Sequence, residues 1–111
     1  MTARFLGEFE HMVLLAILRL ERQAYAVSIL KELDHRAGRT VSRGTIYKTL
    51  DRLETKGLVQ WSAEDGPPAR GGHPRRRFVV TGRGIAALQE SRQAFLELWD
   101  GLEGLLGGSE P

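Results

Sequence analysis

One segment of the chain, from Ser42 to Leu58, constrains the fold more than any other because it has the pattern of a single capped, amphipathic helix. Ser42 is a good N-cap residue, and Gly57 supplies the stop at the C-terminal end. The apolar residues recur on one face at helical spacing, namely Ile46, Leu50 and Leu53. That face must pack on a core, which leaves the opposite face to solvent or to a partner.

The opposite face of this helix is rich in cations and hydrogen-bond donors. The residues that point away from the apolar stripe, or lie on its flank, are Arg43, Gly44, Thr45, Tyr47, Lys48, Asp51 and Arg52. Hydroxyl, ammonium and guanidinium groups donate to phosphate oxygens and base edges, which favours a recognition helix for DNA. A merely solvated face would carry interleaved acids and bases instead. Tyr47 lies about 100° from the centre of the stripe, so recognition and packing at the core edge remain equal alternatives for it.

The charge of the chain is unevenly distributed. Its 111 residues predict one domain, and the formal net charge is only +2. Residues 36–83 nevertheless hold eleven Lys or Arg against four acids, so this middle part carries +7 and the remainder −5. A basic middle between acidic ends is the footprint of a nucleic-acid surface whose ends make other contacts.

Composition also limits the kinds of site that the chain can hold. It has no cysteine, so neither disulfides nor thiolate metal ligands contribute. The apolar run from Met12 to Leu18 is far shorter than the roughly 20 residues that span a bilayer, and no export signal precedes it, so we expect a cytoplasmic protein. Three histidines lie far apart in sequence without paired carboxylates, so we expect no metal, no cofactor and no enzymatic activity: His11, His35 and His73.

The order of predicted elements is that of a winged helix-turn-helix. A first helix covers residues 8–20, a second runs from about Tyr25 to Asp34 before Gly38, and the Ser42 helix follows after a brief connection. Two strands, Leu58 to Ser62 and Arg77 to Val80, then form a β-hairpin. The fold class is therefore mainly α with a small β-hairpin. We expect residues 1–80 to form the DNA-binding domain and residues 81–111 a C-terminal dimerisation helix of the same compact unit.

The tip of the hairpin has a composition of its own. Residues 65–74 are too rich in Gly and Pro to hold regular structure, and the far end becomes basic at Arg75, Arg76 and Arg77. In a winged helix such a tip reaches along the DNA backbone or into the minor groove. Arg77 lies inside the strand alternation, so a structural or dimer role is about as probable for it.

The last predicted helix begins after Thr81, runs to about Leu106, and frays after about Leu102 because of its glycines. Its apolar residues alternate at spacings of three and four, which is typical of a coiled-coil seam. The seam is formed by Leu88, Ser91, Phe95, Leu98, Leu102 and Leu105. An exposed seam of this size favours a homodimer, with Leu88, Phe95, Leu98 and Leu102 at its interface.

Several short motifs lie between residue 13 and residue 88. They are Leu14-Leu15-Ala16-Ile17-Leu18, Ala24-Tyr25, the segment from Ser42 to Leu58, and Gly71-Gly72-His73-Pro74-Arg75-Arg76-Arg77-Phe78 before Thr81 and Gly84. In these motifs the chain resembles the PadR family of transcriptional regulators. This chain departs from the family pattern at three places. The family usually has Gly where this chain has Ala24, often Tyr where it has Phe78, and often two acidic residues where it has Gly82 and Arg83. The last departure removes a favourable charge from the start of the final helix.

The resemblance implies a dimeric, repressor-like DNA-binding protein in which some small family members sense ligands between protomers. It implies helix contacts at Ser42, Gly44, Thr45, Tyr47 and Lys48, and wing contacts at Gly71, Gly72, His73, Arg75 and Arg76. Charge alone adds Arg43 and Arg52 on the helix, and Arg70 is a further predicted contact of the wing. A homodimer would then present two Ser42 helices to successive major grooves, roughly 34 to 36 Å apart, on a near-palindromic operator.

Two alternatives remain at this stage. The fold also serves as a protein-interaction module without direct DNA binding, although such surfaces are usually depleted of charge. A small hydrophobic or aromatic effector would find a pocket at the dimer interface lined by Phe9, Met12, Leu15, Phe95 and Trp99. The competing interpretation is that these five side chains, with Leu98, simply pack the interface.

Overall fold

A computed structural model describes residues 6–64 and 75–106 of the chain. Within these ranges the helices are α1 (Glu8–Leu20), α2 (Ala26–Ala37), α3 (Arg43–Thr55), α4 (Gly82–Trp99) and α5 (Glu103–Leu106), and the strands are β1 (Val59–Ala63) and β2 (Arg76–Val80). A short 3-10 turn, Glu21–Gln23, joins α1 to α2. The predicted order of three helices, a hairpin and a final helix is confirmed.

The first three helices form the core because each contributes an apolar stripe. The fully buried side chains of these helices include Leu14 and Ile17 of α1, Ile29 of α2, and Ile46, Leu50 and Leu53 of α3. The bounds of α1 are as predicted, and α3 follows its Ser42 cap as predicted. Helix α2 extends three residues past Asp34, because its last turn is polar and exposed and so has no apolar residue to mark it. Gly38 then ends α2 in the left-handed conformation at φ 65°.

The two strands pair antiparallel in the register Val59↔Val80 and Trp61↔Phe78. Phe78 is buried against the helices, and its backbone N–H donates to the carbonyl of Ala24 over 2.8 Å. This bond ties the hairpin to the turn before α2. Each strand lies within one residue of its predicted position. The tip of the hairpin, which carries Arg70, Gly71, Gly72 and His73, lies outside the described residues.

Helix α4 begins where the chain leaves the hairpin. The hydroxyl of Thr81 accepts from the backbone N–H of Gly84 at 3.1 Å and donates to the carbonyl of Gly57 at 2.7 Å. Thr81 therefore caps α4, as predicted, and also fixes it to the end of the α3 segment. The first half of α4 packs on α1, where Leu88 and Ser91 are buried.

Two predictions about the C-terminal segment are wrong. Leu88 was placed at the dimer interface, but it belongs to the core of its own protomer and leaves only 7% of its surface exposed. The last helix is also not continuous to Leu106, because α4 ends at Trp99 and the chain turns at Gly101 with φ 85° before the short α5. A positive φ suits glycine, and it interrupts the helical hydrogen bonding.

Candidate nucleic-acid interface

The N-terminal turn of α3 is fixed by its cap. The hydroxyl of Ser42 accepts from the backbone N–H of Thr45 at 3.1 Å and lies 3.0 Å from the hydroxyl of Thr45. Gly44 follows the cap and is exposed, so the backbone is accessible at this point. A capped first turn with free backbone N–H groups and exposed hydroxyls is suited to bind a phosphate.

The solvent-facing side of α3 presents the predicted donors. Arg43, Thr45 and Lys48 are exposed, and neither Arg43 nor Lys48 forms an ion pair with any described residue. Tyr47 is half exposed and borders a small cleft between α2 and α3 beside Val27. Tyr47 can therefore either pack at the edge of the core or contact DNA, since one part of its ring adjoins the protein and the rest is accessible.

The cations at the C-terminal end of α3, Arg52 and the C-cap residue Lys56, form ion pairs with a buried carboxylate on α1, unlike Arg43 and Lys48. Oε2 of Glu10 accepts from Arg52 Nε at 3.0 Å and from Lys56 Nζ at 2.9 Å. Oε1 accepts from the backbone N–H of Gly7 at 3.0 Å. Glu10 is only 5% exposed. Burial alone would raise the pKa of this carboxyl, but the bonds from Lys56, Gly7 and Arg52 outweigh it and hold the pKa below its ordinary value.

The base of the hairpin is fixed by a cluster around Tyr25, the N-cap residue of α2. Its hydroxyl donates to Oε1 of Glu64 at 3.0 Å, and the guanidinium of Arg75 stacks 3.8 Å from the centre of its ring. Arg77 Nε lies 3.6 Å from the same carboxylate oxygen. Burial, the hydrogen bond to Glu64 and the charge of Glu64 raise the pKa of the Tyr25 phenol, although Arg75 and Arg77 act in the opposite direction.

The neighbouring cation, Arg76, lies on the other face of the hairpin. Its guanidinium stacks 4.3 Å from the centre of the Trp61 ring. Arg75 and Arg76 therefore leave the described part of the hairpin on opposite faces, each resting on an aromatic ring. Arg75 directly follows the tip in sequence and Arg76 begins β2, and both are exposed.

Of the five residues proposed for an effector pocket, Met12 and Leu15 line the same groove. This open groove of about 690 Å³ lies between α1 and α2, and Leu33 contributes to its floor. Phe9 instead packs against the core beneath Arg39, whose guanidinium lies 5.1 Å from its ring centre. Phe95 and Trp99 are exposed on α4.

Sequence reasoning missed three residues that organise this surface: Glu10, Tyr25 and Glu64. The side-chain hydrogen bonds between Tyr25 and Glu64, and from Arg52 and Lys56 to Glu10, join residues 39 to 46 positions apart, so no local spacing signals them. Among the described residues, no three His, Asp or Glu side chains are grouped as metal ligands, and no helix is long and apolar enough to cross a membrane.

The chain is similar in sequence to known transcriptional regulators. The family model described as the transcriptional regulator PadR-like family matches residues 14–90. The transcriptional regulator Rv3488 of Mycobacterium tuberculosis is 38% identical over 80 residues, which cover 70% of this chain and 68% of that protein.

Solved structures show the same fold. A PadR-like transcription factor from Bacteroides fragilis superposes with a TM-score of 0.70 at 28% identity, over 89% of this chain and 90% of that chain. A complex structure of the regulator hsRosR has a TM-score of 0.68 at 27% identity, over 86% of this chain and 78% of that chain.

Proposed function

The chain belongs to the PadR-like family of transcriptional regulators, and on that premise we propose that it acts as a homodimeric repressor on a near-palindromic operator. It is a DNA-binding regulator and not an enzyme. The observation that carries the proposal is the exposed first half of α3, where a capped helix start adjoins two cations, Arg43 and Lys48, that no described carboxylate neutralises. We propose that this protein acts in the cytoplasm.

The proposed contacts on α3 follow from exposure and donor chemistry. They comprise Ser42, Arg43, Gly44, Thr45, Tyr47, Lys48 and Arg52. Hydroxyls and backbone N–H groups at the helix start would hold phosphates, while Lys48 would reach a base edge or a phosphate. Arg52 shares its Nε with Glu10, so only its outer nitrogens are available to DNA.

The proposed wing contacts belong to the tip of the hairpin and to the two residues that follow it in sequence. Arg75 and Arg76 emerge from the described base, and the remaining contacts lie outside the described residues: Arg70, Gly71, Gly72 and His73. Because the Tyr25 cluster fixes the base against α2, the wing would keep a constant position relative to α3. A fixed spacing between the two elements lets one protomer contact the major groove and the adjacent backbone together.

The proposed dimer is supported by two unpartnered apolar surfaces on one protomer. The second half of α4 and the turn after it expose Phe95, Leu96, Leu98, Trp99, Leu102 and Leu105. The groove between α1 and α2 exposes Leu15 and Leu18. Apolar surface of this extent is unusual on a monomer, and two copies would cover it by packing residues 81–111 of one against α1 and α4 of the other.

The same dimer would create the effector pocket. Phe9, Met12 and Leu15 lie on α1, and Phe95 and Trp99 on α4, so a flat hydrophobic or aromatic molecule between the protomers would contact both helices. Binding there would shift the α4 helices, change the spacing of the two α3 helices and release DNA. The alternative, in which these side chains only pack the interface, predicts no ligand response.

Selection from random duplex DNA pools, with sequencing of the retained molecules at increasing salt, tests the proposed function. We expect an enriched near-palindrome whose binding weakens steeply with salt, by a slope near 0.9 per phosphate neutralised. Leu98→Asp should preserve the protomer fold, since Leu98 is 73% exposed. The variant should sediment as a monomer and should no longer enrich a palindromic sequence. Absence of DNA binding at low salt would overturn the proposal in favour of a protein-interaction module.

A further inference from the structure

The basic residues of α3 fall into two groups that differ in their partners. Arg43 and Lys48, in the first half, form no ion pair with the described residues. Arg52 and Lys56, one turn apart at the other end, both contact the carboxylate of Glu10. The positive charge that α3 offers to a polyanion is therefore concentrated at its N-terminal half, although the sequence distributes its cations along the whole helix.

The contact with Glu10 uses the donors of both cations. Lys56 Nζ lies within 3.1 Å of both carboxylate oxygens, and Arg52 gives its Nε to one of them. The side chain of Glu10 is 7% exposed, whereas those of Arg52 and Lys56 are 52% and 39% exposed. The carboxylate is thus the fixed member of the trio, and the two flexible cations are drawn toward α1.

From this geometry we infer that Glu10 is a specificity-determining residue, which withholds Arg52 and Lys56 from DNA phosphates. The inference rests on the proposed function. Contacts to phosphate carry no sequence information, yet they supply nearly all of the affinity for non-specific DNA. The trio of Glu10, Arg52 and Lys56 keeps only one net positive charge, so these two cations add less to that affinity than free ones would, and discrimination depends mainly on the first half of α3 and on the wing.

Arg52 is only partly available to DNA, because its Nε donates to Glu10. Its outer nitrogens can still meet a phosphate, but its net contribution is reduced while Glu10 remains ionised. A carboxylate with a depressed pKa stays ionised throughout the neutral range, so the restraint is permanent and not a pH switch. Glu10 acts on DNA only through Arg52 and Lys56, which makes it a positioning residue.

Glu10→Gln tests the inference, with Glu8→Gln as its matched control. Both substitutions remove one negative charge from the first turn of α1, but Glu8 is 84% exposed in its side chain and contacts neither Arg52 nor Lys56. The readout is the salt slope and affinity for duplexes without the operator. We expect Glu10→Gln to steepen the slope by about 0.9 for each released cation and to raise low-salt affinity at least about threefold over Glu8→Gln.

A merely structural role for Glu10 predicts a different result. A loosened contact between α1 and α3 would weaken DNA binding or leave the slope unchanged, so a steeper slope with a tighter complex distinguishes the two roles. Equal slopes for Glu10→Gln and Glu8→Gln would overturn the inference. The triple variant Glu10→Gln, Arg52→Gln, Lys56→Gln should abolish this increase in slope, because no cation is left to be released.

A second pair of variants keeps the inference testable if Glu10→Gln does not fold. Lys56→Gln leaves the bond between Arg52 and Glu10 in place, and Lys48→Gln removes the same charge from the first half of α3. We expect Lys48→Gln to lower the non-specific salt slope by about 0.9 and Lys56→Gln to lower it by clearly less. Equal losses for both would overturn the inference. Failure of the parent protein to bind any DNA would instead defeat the proposed function itself.

Discussion

The hydroxyl of Tyr25, at the start of α2, donates a 3.0 Å hydrogen bond to Glu64 at the base of the hairpin. This bond connects the helix-turn-helix to the wing across 39 residues of sequence. Arg75 stacks on the same ring and Arg77 approaches the same carboxylate, so the position of the wing depends on this cluster. The consequences of the contact can be measured without DNA.

Tyr25 should ionise above its ordinary pKa of 10.0, because burial and Glu64 both favour the neutral phenol. Since the folded state raises this pKa, the stabilisation is complete below the ordinary value and is lost as the pH rises through the folded value. Glu64→Gln should lower the Tyr25 pKa toward 10.0. Ultraviolet titration in a Tyr47→Phe background isolates Tyr25, since the chain has only two tyrosines. An unchanged titration in Glu64→Gln would refute the contact.

Gly84 and Gly82, both in the first turn of α4, should respond oppositely to alanine. A Cβ on Gly84 would press into the carbonyl oxygen of Leu58 and lie 2.6 Å from Cγ1 of Val80, whereas nothing lies within 4 Å of one on Gly82. We expect Gly84→Ala to cost about 1 to 3 kcal/mol of unfolding free energy. Gly82→Ala should be neutral or stabilising by up to about 1 kcal/mol. Denaturant titration measures both, and equal effects would contradict the close packing of α4 on the hairpin.

Ser42 should separate helix stability from DNA affinity. Ser42→Ala removes the acceptor for the Thr45 N–H and should cost about 1 kcal/mol of unfolding free energy. Ser42→Asp keeps a capping oxygen, so its stability should remain near that of the parent protein, but its charge would repel phosphate and weaken the complex with DNA. Denaturant titration and DNA titration of the two variants check this. Undiminished DNA binding by Ser42→Asp would exclude the α3 cap from the interface.

The elements that local pattern specifies were predictable from the sequence. Helix α3 combines a cap, an apolar stripe and a terminal glycine, and its bounds follow from these alone. The same holds for the cap of α4 at Thr81. Where the apolar signal ended early, as after Leu33, the predicted helix ended early too, because a polar last turn leaves no periodic mark.

Long-range contacts account for what the sequence did not reveal. The spacing of Leu88 along the chain matches that of the exposed residues Phe95, Leu98 and Leu102. Because α4 packs on α1, however, Leu88 is buried in the core of the protomer. Glu10 has the pattern of a solvated acid near a helix start, and only the approach of α3 makes it a buried partner of Arg52. Periodicity identifies a helix face but not what covers it.

The most direct test of DNA binding by α3 compares the parent protein, Lys48→Ala and Arg92→Ala on the selected operator and on a scrambled duplex. Lys48 and Arg92 are both exposed, but Arg92 lies on α4. If Lys48 contacts a base edge, we expect its loss to relax specificity at one position by about 1 to 3 kcal/mol. If it contacts phosphate, binding to both duplexes should weaken and the salt slope should fall by about 1. Arg92→Ala should match the parent protein. Equal affinity of Lys48→Ala and the parent protein for the operator would contradict the account.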